Sequence, residues 1–129
     1  MRFSENQPYL DITSIIYLRS ARMNKPPLEI LSDIATEAHT QIQKNFADIN
    51  PVVSVNRKMR TAGIPADAMT IDCLKSSKRI LIVLHDQQPE TLNYQFGYKD
   101  KDPENTFTPI PISELSTSVM YEWISEYFS

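Results

Sequence analysis

The sequence has little cysteine, little glycine and no long apolar run, and each shortage excludes a class of protein. The single cysteine, Cys73, cannot form an internal disulfide, so stability must come from packing, as is usual in a reducing cytoplasm. Two glycines are too few for a glycine-rich phosphate-binding loop or a flexible linker array. The apolar run Ile80–Leu84 is far shorter than the roughly 20 residues that a membrane-spanning helix needs.

The charge balance is slightly acidic and gives no general attraction to nucleic acid or anionic lipid. The net charge is -3 and the pI is about 5.3. Residues Met1 to Leu10 are polar and include Pro8, without the basic start and apolar stretch of a secretion signal. We therefore expect a cytoplasmic protein without membrane contact. A chain of 129 residues is predicted to form one domain, residues 1–129.

The strongest pattern in the chain is the run Ile80–Leu84, which is bounded by charged residues and rich in branched side chains. Such a run predicts a strand in the middle of a sheet. Apolar alternation on both sides extends this to a three-stranded antiparallel meander over residues 68–99, with strands at 68–74, 78–86 and 92–99. Residues 106–112 contain Pro109 and Pro111, which restrict them to an edge strand at most. The predicted class is α+β.

Three helices are predicted before the meander, and the first two rest on apolar residues at helical spacing. Residues 11–23 follow this spacing, although Ile15–Leu18 is equally compatible with a strand. Residues 27–49 carry one continuous apolar stripe, and Pro27 suits the first position of a helix. We expect the stripe of residues 27–49 to cover one face of the sheet.

Two further helices are predicted from their boundary residues. Residues 51–62 begin with Pro51, repeat apolar residues on one face and are followed by Gly63, a typical helix stop. Residues 116–128 begin with Ser116 as N-cap and carry large apolar side chains on one face. The size of those side chains predicts that this C-terminal helix packs on the sheet.

The second face of the predicted sheet is the basis of the leading functional hypothesis. It mixes Leu81 and Val83 with polar residues, so it is only half apolar. Together with the edge at residues 106–112, it is predicted to accept a protein partner by face packing or strand addition. The expected function is a non-catalytic binding or regulatory module that acts through protein–protein contacts, and homodimerisation through this surface is a further option. An enzyme is not favoured.

A small hydrolase or ligand-binding enzyme is the second hypothesis, because His85 and Asp86 follow a strand where functional groups are often held. Cys73 is the only thiol available as a nucleophile. If Cys73 lies opposite Ile80, however, His85 is roughly 16 Å farther along the neighbouring strand and on the other face. Cys73 is therefore predicted to be a buried structural thiol, and no small-molecule ligand is predicted.

Nucleic-acid binding through Arg57, Lys58 and Arg60 is the third hypothesis. These cations are concentrated within four residues and could contact phosphates. In an acidic chain they are more often a solvated outer face, so nucleic acid is not the expected partner. The two histidines and one cysteine show no metal-ligand spacing, and neither a metal nor a cofactor is predicted.

Overall fold

A computed structural model describes residues 25–129, so the helix predicted over residues 11–23 lies outside the described part of the chain. The fold is α+β, as predicted. The strands are β1 (Pro51–Asn56), β2 (Ala66–Cys73), β3 (Lys78–His85), β4 (Thr91–Tyr98) and β5 (Thr108–Pro111). The helices are α1 (Pro27–Asn45), α2 (Lys58–Thr61) and α3 (Thr117–Phe128), with a 3-10 turn at Ile112–Glu114.

The five strands form one antiparallel sheet in the order β1-β2-β3-β4-β5. The strand predicted to be central is β3, and it is central. Its Ile80 and Ile82 are fully buried, because they point toward the helices. The predicted meander corresponds to β2, β3 and β4, and the expected edge at 106–112 is present as the shorter β5. The sheet has two more strands than the meander because β1 and β5 extend it on both sides.

The helix predicted over residues 51–62 is wrong. Its first half is the strand β1, and only Lys58–Thr61 is helical. Apolar residues at helical spacing suggested a helix, but three valines within Pro51–Val55 favour a strand, since branched side chains lose rotamer freedom in a helix. The predicted stop is correct: Gly63 has φ of 90°, and the Ile64 N–H donates to the Met59 carbonyl at 2.8 Å.

Helix α1 ends at Asn45, four residues before the predicted end at residue 49. Pro27 occupies the first turn, as predicted. Ile49 suggested a longer helix because it falls on the apolar stripe, and it is indeed buried at 6% exposure. It reaches the core through a turn in which its N–H donates to the Phe46 carbonyl at 3.0 Å. The helix ends because Phe46 leaves the helical conformation, with φ of -137° and ψ of 77°.

The core lies between one face of the sheet and helices α1 and α3. Ser116 caps α3 as predicted, since its hydroxyl accepts from the Val119 N–H at 3.2 Å. The two helices also meet at the surface, where Asn45 Nδ2 donates to the Tyr121 hydroxyl at 3.0 Å. The largest side chains that are fully buried between the two layers are Leu31, Ile42, Met69, Ile71, Ile80, Ile82, Leu92, Met120 and Ile124.

The second face of the sheet is partly covered by the chain itself. A small cluster of Ala66, Ala68 and Val83 is buried there, and the side chains of Met59 and Phe107 pack against it together with Leu81. Most of the remainder of this face is polar, and its cross-strand pair Asp72 and Arg79 forms an ion pair at 2.6 Å. The face is therefore less available to a partner than its mixed sequence suggested.

Candidate functional site

A charged cluster of Arg57, Arg60, Asp67 and Asp86 lies at the end of the sheet where β2 begins and β3 ends. Arg60 contacts both carboxylates: its Nε and Nη2 donate to Asp67 at 3.1 and 3.0 Å, and its Nη1 and Nη2 donate to Asp86 at 2.8 and 2.9 Å. Arg57 Nε donates to Asp67 Oδ1 at 2.9 Å. The cluster fastens the α2 turn to the sheet.

Burial differs across the charged cluster, and this decides what it can do. The side chain of Asp67 is 8% exposed, whereas those of Arg60 and Asp86 are 34% and 52% exposed. Hydrogen bonds from Arg60 hold the pKa of the Asp67 carboxyl below its usual range; burial opposes this, and Arg57 adds to the lowering. Arg60 also lowers the pKa of Asp86. Both aspartates are therefore anions that the arginines neutralise.

The charged cluster brings together residues that belonged to two different hypotheses. Arg57 and Arg60 came from the nucleic-acid hypothesis and Asp86 from the enzyme hypothesis. With His85 they border a cleft of about 320 Å³, which also touches Pro26–Leu28 and Pro89. Lys58 is not part of this cluster. Its side chain is exposed and makes no ion pair within residues 25–129.

Asp67 was not identified from the sequence, because the predicted strand began at residue 68. The sequence nevertheless contained a signal that Asp67 needs a cationic partner. Asp67 has the same parity as Met69 and Ile71, so on a strand it points to the apolar face, where a carboxylate needs a cationic partner. The partners come from α2 and its N-terminal flank, which the sequence had assigned to a longer helix.

Cys73 and His85 are far apart, as expected. Cys73 lies opposite Lys78, so the register differs by two residues from the predicted one with Ile80. His85 is seven residues beyond Lys78 on the same strand, about 23 Å away at strand rise and on the other face. The separation is larger than predicted, and the two side chains do not form a thiol–imidazole pair.

Cys73 borders a second cavity, of about 580 Å³, at the opposite end of the sheet. The thiol is 3% exposed. Burial opposes ionisation of the Cys73 thiol, but hydrogen bonds from the Ser76 hydroxyl and from the N–H groups of Ser76 and Lys75 outweigh it and lower its pKa. Asp48 lines the same cavity, but among residues 25–129 no hydrogen bond joins its carboxylate to the thiol.

The outer edge of β1 is the second candidate site, and the hydrogen-bond pattern of the sheet defines it. In antiparallel pairs, hydrogen-bonded and non-hydrogen-bonded residue pairs alternate. The Asp86 N–H donates to the Pro65 carbonyl at 2.9 Å, which fixes this alternation for β2 and β3. By the same alternation, Ser54 on β1 exchanges hydrogen bonds with Thr70 on β2.

Val53 and Val55 consequently direct their N–H and C=O groups away from the sheet. Pro51 shares this orientation, and its carbonyl accepts from His39 Nε2 at 2.9 Å on the side away from β2. The Val55 side chain is 44% exposed and that of Val52 is 39% exposed. No charged residue lies within Pro51–Asn56. This outer side of β1, with Val53 and Val55 at its centre, is called the β1 edge below.

The opposite edge of the sheet offers an added strand fewer hydrogen-bond donors. The Ile112 N–H donates to the Glu90 carbonyl at 2.9 Å, which makes Leu92 and Ile110 a hydrogen-bonded pair. Pro109 and Pro111 are then the residues of β5 that face outward, and neither has an N–H. The sequence predicted strand addition here at 106–112, but the prolines occupy the positions from which an added strand would need donors.

Several alternatives find no support in the part of the chain that the structure describes. Residues 25–129 contain no group of three or more His, Cys, Asp or Glu side chains that could hold a metal ion. In the same residues, no helix combines the length and the apolar character needed to cross a membrane. Comparison with family models, curated proteins and solved structures found no match to this chain.

Proposed function

We propose that this protein is a non-catalytic binding module that takes up an extended strand of a protein partner at the β1 edge. The observation that carries the proposal is the outward orientation of the Val53 and Val55 backbones on an uncharged strand. Unpaired N–H and C=O groups on an exposed edge are a template for another strand. The backbone supplies affinity in this mode, and the exposed Val52 and Val55 side chains supply apolar contact.

Soluble proteins usually protect such an edge, and the two edges of this sheet differ in this respect. Prolines protect β5, whereas β1 has neither an inward charge nor a proline between Val52 and Asn56. The second face, which was the other expected docking surface, offers less: Val83 is 8% exposed, and the partly buried Leu81 packs against the same cluster as Phe107 and Met59. The β1 edge is therefore the better candidate.

The enzyme hypothesis has weaker support. A general base must be able to accept a proton near the working pH, but arginine bonds hold Asp67 and Asp86 as anions of low basicity. His85 borders the cleft with no hydrogen bond from its ring to another residue in 25–129. Activity that is unchanged in His85→Ala would remove this alternative.

The nucleic-acid hypothesis also has weaker support. Arg57 and Arg60 bind Asp67 and Asp86, so the charged cluster carries little net charge. Phosphate binding depends on cations that are free to replace counterions. Of the three predicted contacts, Lys58 alone has no ion-pair partner within residues 25–129. Salt-sensitive binding of DNA or RNA that is lost in a variant with Arg57, Lys58 and Arg60 changed to Ala would revive it.

The test of strand addition is the pair of variants Val55→Pro and Val55→Thr. Proline removes the outward N–H of residue 55 and leaves the hydrogen bonds between β1 and β2 intact, since those come from Val52, Ser54 and Asn56. Ser54 is already extended, as the residue before a proline must be. Threonine keeps the N–H and a branched side chain of similar size, so Val55→Thr is the matched control.

Tagged wild type, Val55→Thr and Val55→Pro are compared in capture from native extract and in self-association, after matching far-UV spectra and urea midpoints show that all three are folded. We expect binding by the first two proteins and its loss in Val55→Pro. The proposal would be overturned if Val55→Pro and Val55→Thr bind equally. It would also be overturned if none of the three proteins binds in either assay.

A further inference from the structure

We infer that the strand bound at the β1 edge is β1 of a second copy of this chain, paired antiparallel about a two-fold axis at Ser54. This inference rests on the proposed function and names the partner. The resulting dimer has one continuous sheet in which the two β1 strands lie at the centre. Three observations favour a second copy: the hydrogen-bond phase of β1, the near-symmetry of its sequence and the charges at its two ends.

The alternation of inward and outward backbone groups along β1 selects one register. Only Val53 and Val55 offer both an outward N–H and an outward C=O within β1, because Pro51 has no N–H and its carbonyl is bonded to His39. An antiparallel two-fold at Ser54 places Val53 of each copy opposite Val55 of the other. The two valine pairs are equivalent by symmetry, and each exchanges two hydrogen bonds. A shift by two residues would place Val55 opposite Pro51 and lose a donor.

The sequence of β1 reads almost the same in both directions around Ser54. Val53 and Val55 flank it symmetrically, so the junction pairs valine with valine on the face that carries the helices. On the other face Ser54 meets Ser54, and Val52 meets Asn56. No like charges oppose each other in this register, and branched residues in cross-strand pairs stabilise a sheet.

The charges that flank β1 are complementary in an antiparallel pair. Asp48 is exposed shortly before the strand, and the exposed side chains of Arg57 and Lys58 follow it directly. Antiparallel pairing brings Asp48 of one copy toward Lys58 of the other at both ends of the junction. Parallel pairing would instead place Lys58 beside Lys58. Electrostatic complementarity of this kind fixes orientation and register in an interface.

The test is disulfide trapping with Ser54→Cys and, as its matched control, Val52→Cys. Across the two-fold axis, residue 54 forms a non-hydrogen-bonded pair with itself, with Cα atoms about 4.5 Å apart, which a disulfide can bridge. The two copies of residue 52 are offset by four residues, about 13 Å, which is too far. Both sites are exposed on the same face, and native Cys73 is 3% exposed in either variant.

Under mild oxidation we expect Ser54→Cys to form a covalent dimer, and Val52→Cys to stay at the level of the wild type. Adding Val55→Pro to Ser54→Cys should abolish the dimer, whereas adding Val55→Thr should not. Sedimentation of the unmodified protein over a concentration series should show a monomer–dimer equilibrium that Val55→Pro shifts to monomer.

Equal trapping of Ser54→Cys and Val52→Cys would overturn the inference, as would a wild type that stays monomeric up to millimolar concentration. If the wild type is monomeric but Val55→Thr captures a partner that Val55→Pro does not, the second copy is wrong and the proposed function stands. If Val55→Pro and Val55→Thr behave alike in every assay, both the proposed function and the second-copy inference are wrong.

Discussion

Gln95 and Glu104 are joined by two reciprocal hydrogen bonds between β4 and the loop that leads to β5. Gln95 Nε2 donates to the Glu104 carbonyl at 3.0 Å, and the Glu104 N–H donates to Gln95 Oε1 at 2.8 Å. Nε2 also donates to the Thr106 carbonyl at 3.0 Å. One buried amide therefore satisfies three backbone groups and holds residues 99–107 against the second face of the sheet.

Replacing Gln95 with Leu should loosen that loop, because three backbone groups lose their partner. We expect a loss of about 1–3 kcal/mol in the free energy of unfolding. Protease cleavage and amide exchange within residues 99–107 should both accelerate. The control is Gln88→Leu, at an exposed position, which should match the wild type. A Gln95→Leu protein whose loop is as protected as that of the wild type would show that Phe107 alone anchors the segment.

Asp67→Asn tests whether the charged cluster stabilises the fold. Removing the buried carboxylate leaves Arg57 and Arg60 without their shared partner, which costs about 2–3 kcal/mol of unfolding free energy, less than a fully buried pair because both arginines reach solvent. Asp86→Asn, at a side chain that is 52% exposed, should cost less than Asp67→Asn, because solvent screens an exposed ion pair. Urea unfolding at pH 7 measures both. Equal small losses would mean that Asp67 contributes no more than a surface pair.

The same cluster makes stability depend on pH in a defined direction. The pKa values of Asp67 and Asp86 are lower in the folded protein than in the unfolded chain, so the unfolded chain binds more protons in acid. The stability that these groups contribute is complete above the unfolded carboxyl pKa of about 4 and is lost as the pH falls through that value toward their folded pKa values.

The unfolding free energy of the wild type should therefore fall steeply below about pH 4, and that of Asp67→Asn should fall less steeply. Urea unfolding between pH 3 and pH 7 gives both curves. Parallel curves for the two proteins would indicate that other carboxylates cause the acid sensitivity.

Ser116→Ala should destabilise the C-terminal helix. The Ser116 hydroxyl satisfies the Val119 N–H at 3.2 Å at the helix start, and its loss typically costs about 1 kcal/mol. Ser125→Ala, within the helix, is the control and should be neutral or slightly stabilising, because alanine is the better helix former. Thermal unfolding measures both variants, and an unchanged Ser116→Ala would show that packing alone fixes the start of α3.

The sequence was most informative where one local interaction dominates. The β3 strand was predictable because Ile80–Leu84 is apolar on both faces and bounded by charges, and the observed centre of the sheet agrees. Ser116 and Pro27 were predictable because capping and the first helical turn depend on a single residue type. Such features need no knowledge of distant contacts.

Residues 51–62 show where sequence reasoning failed. Val52, Val55 and Met59 are spaced for a helix, yet Val52 and Val55 lie on β1 and pair with β2, an interaction that spacing along the chain cannot show; only Met59 is helical. The error also concealed the charged cluster: because residues 51–56 form a strand beside β2, Arg57 and the following helical turn with Arg60 lie next to Asp67. One wrong element thus separated four residues that the fold brings together.

The outward prolines of β5 limit what any association at the β1 edge can become. With Pro109 and Pro111 on one edge, the sheet described within residues 25–129 leaves each protomer of the proposed dimer one edge, that of β1, for strand addition. When the β1 edges of two such protomers pair with each other, neither protomer has a further edge for strand addition, so assembly stops at a closed dimer. A sheet with two open margins would add subunits without end and form fibres; here two imino acids make the contact self-limiting.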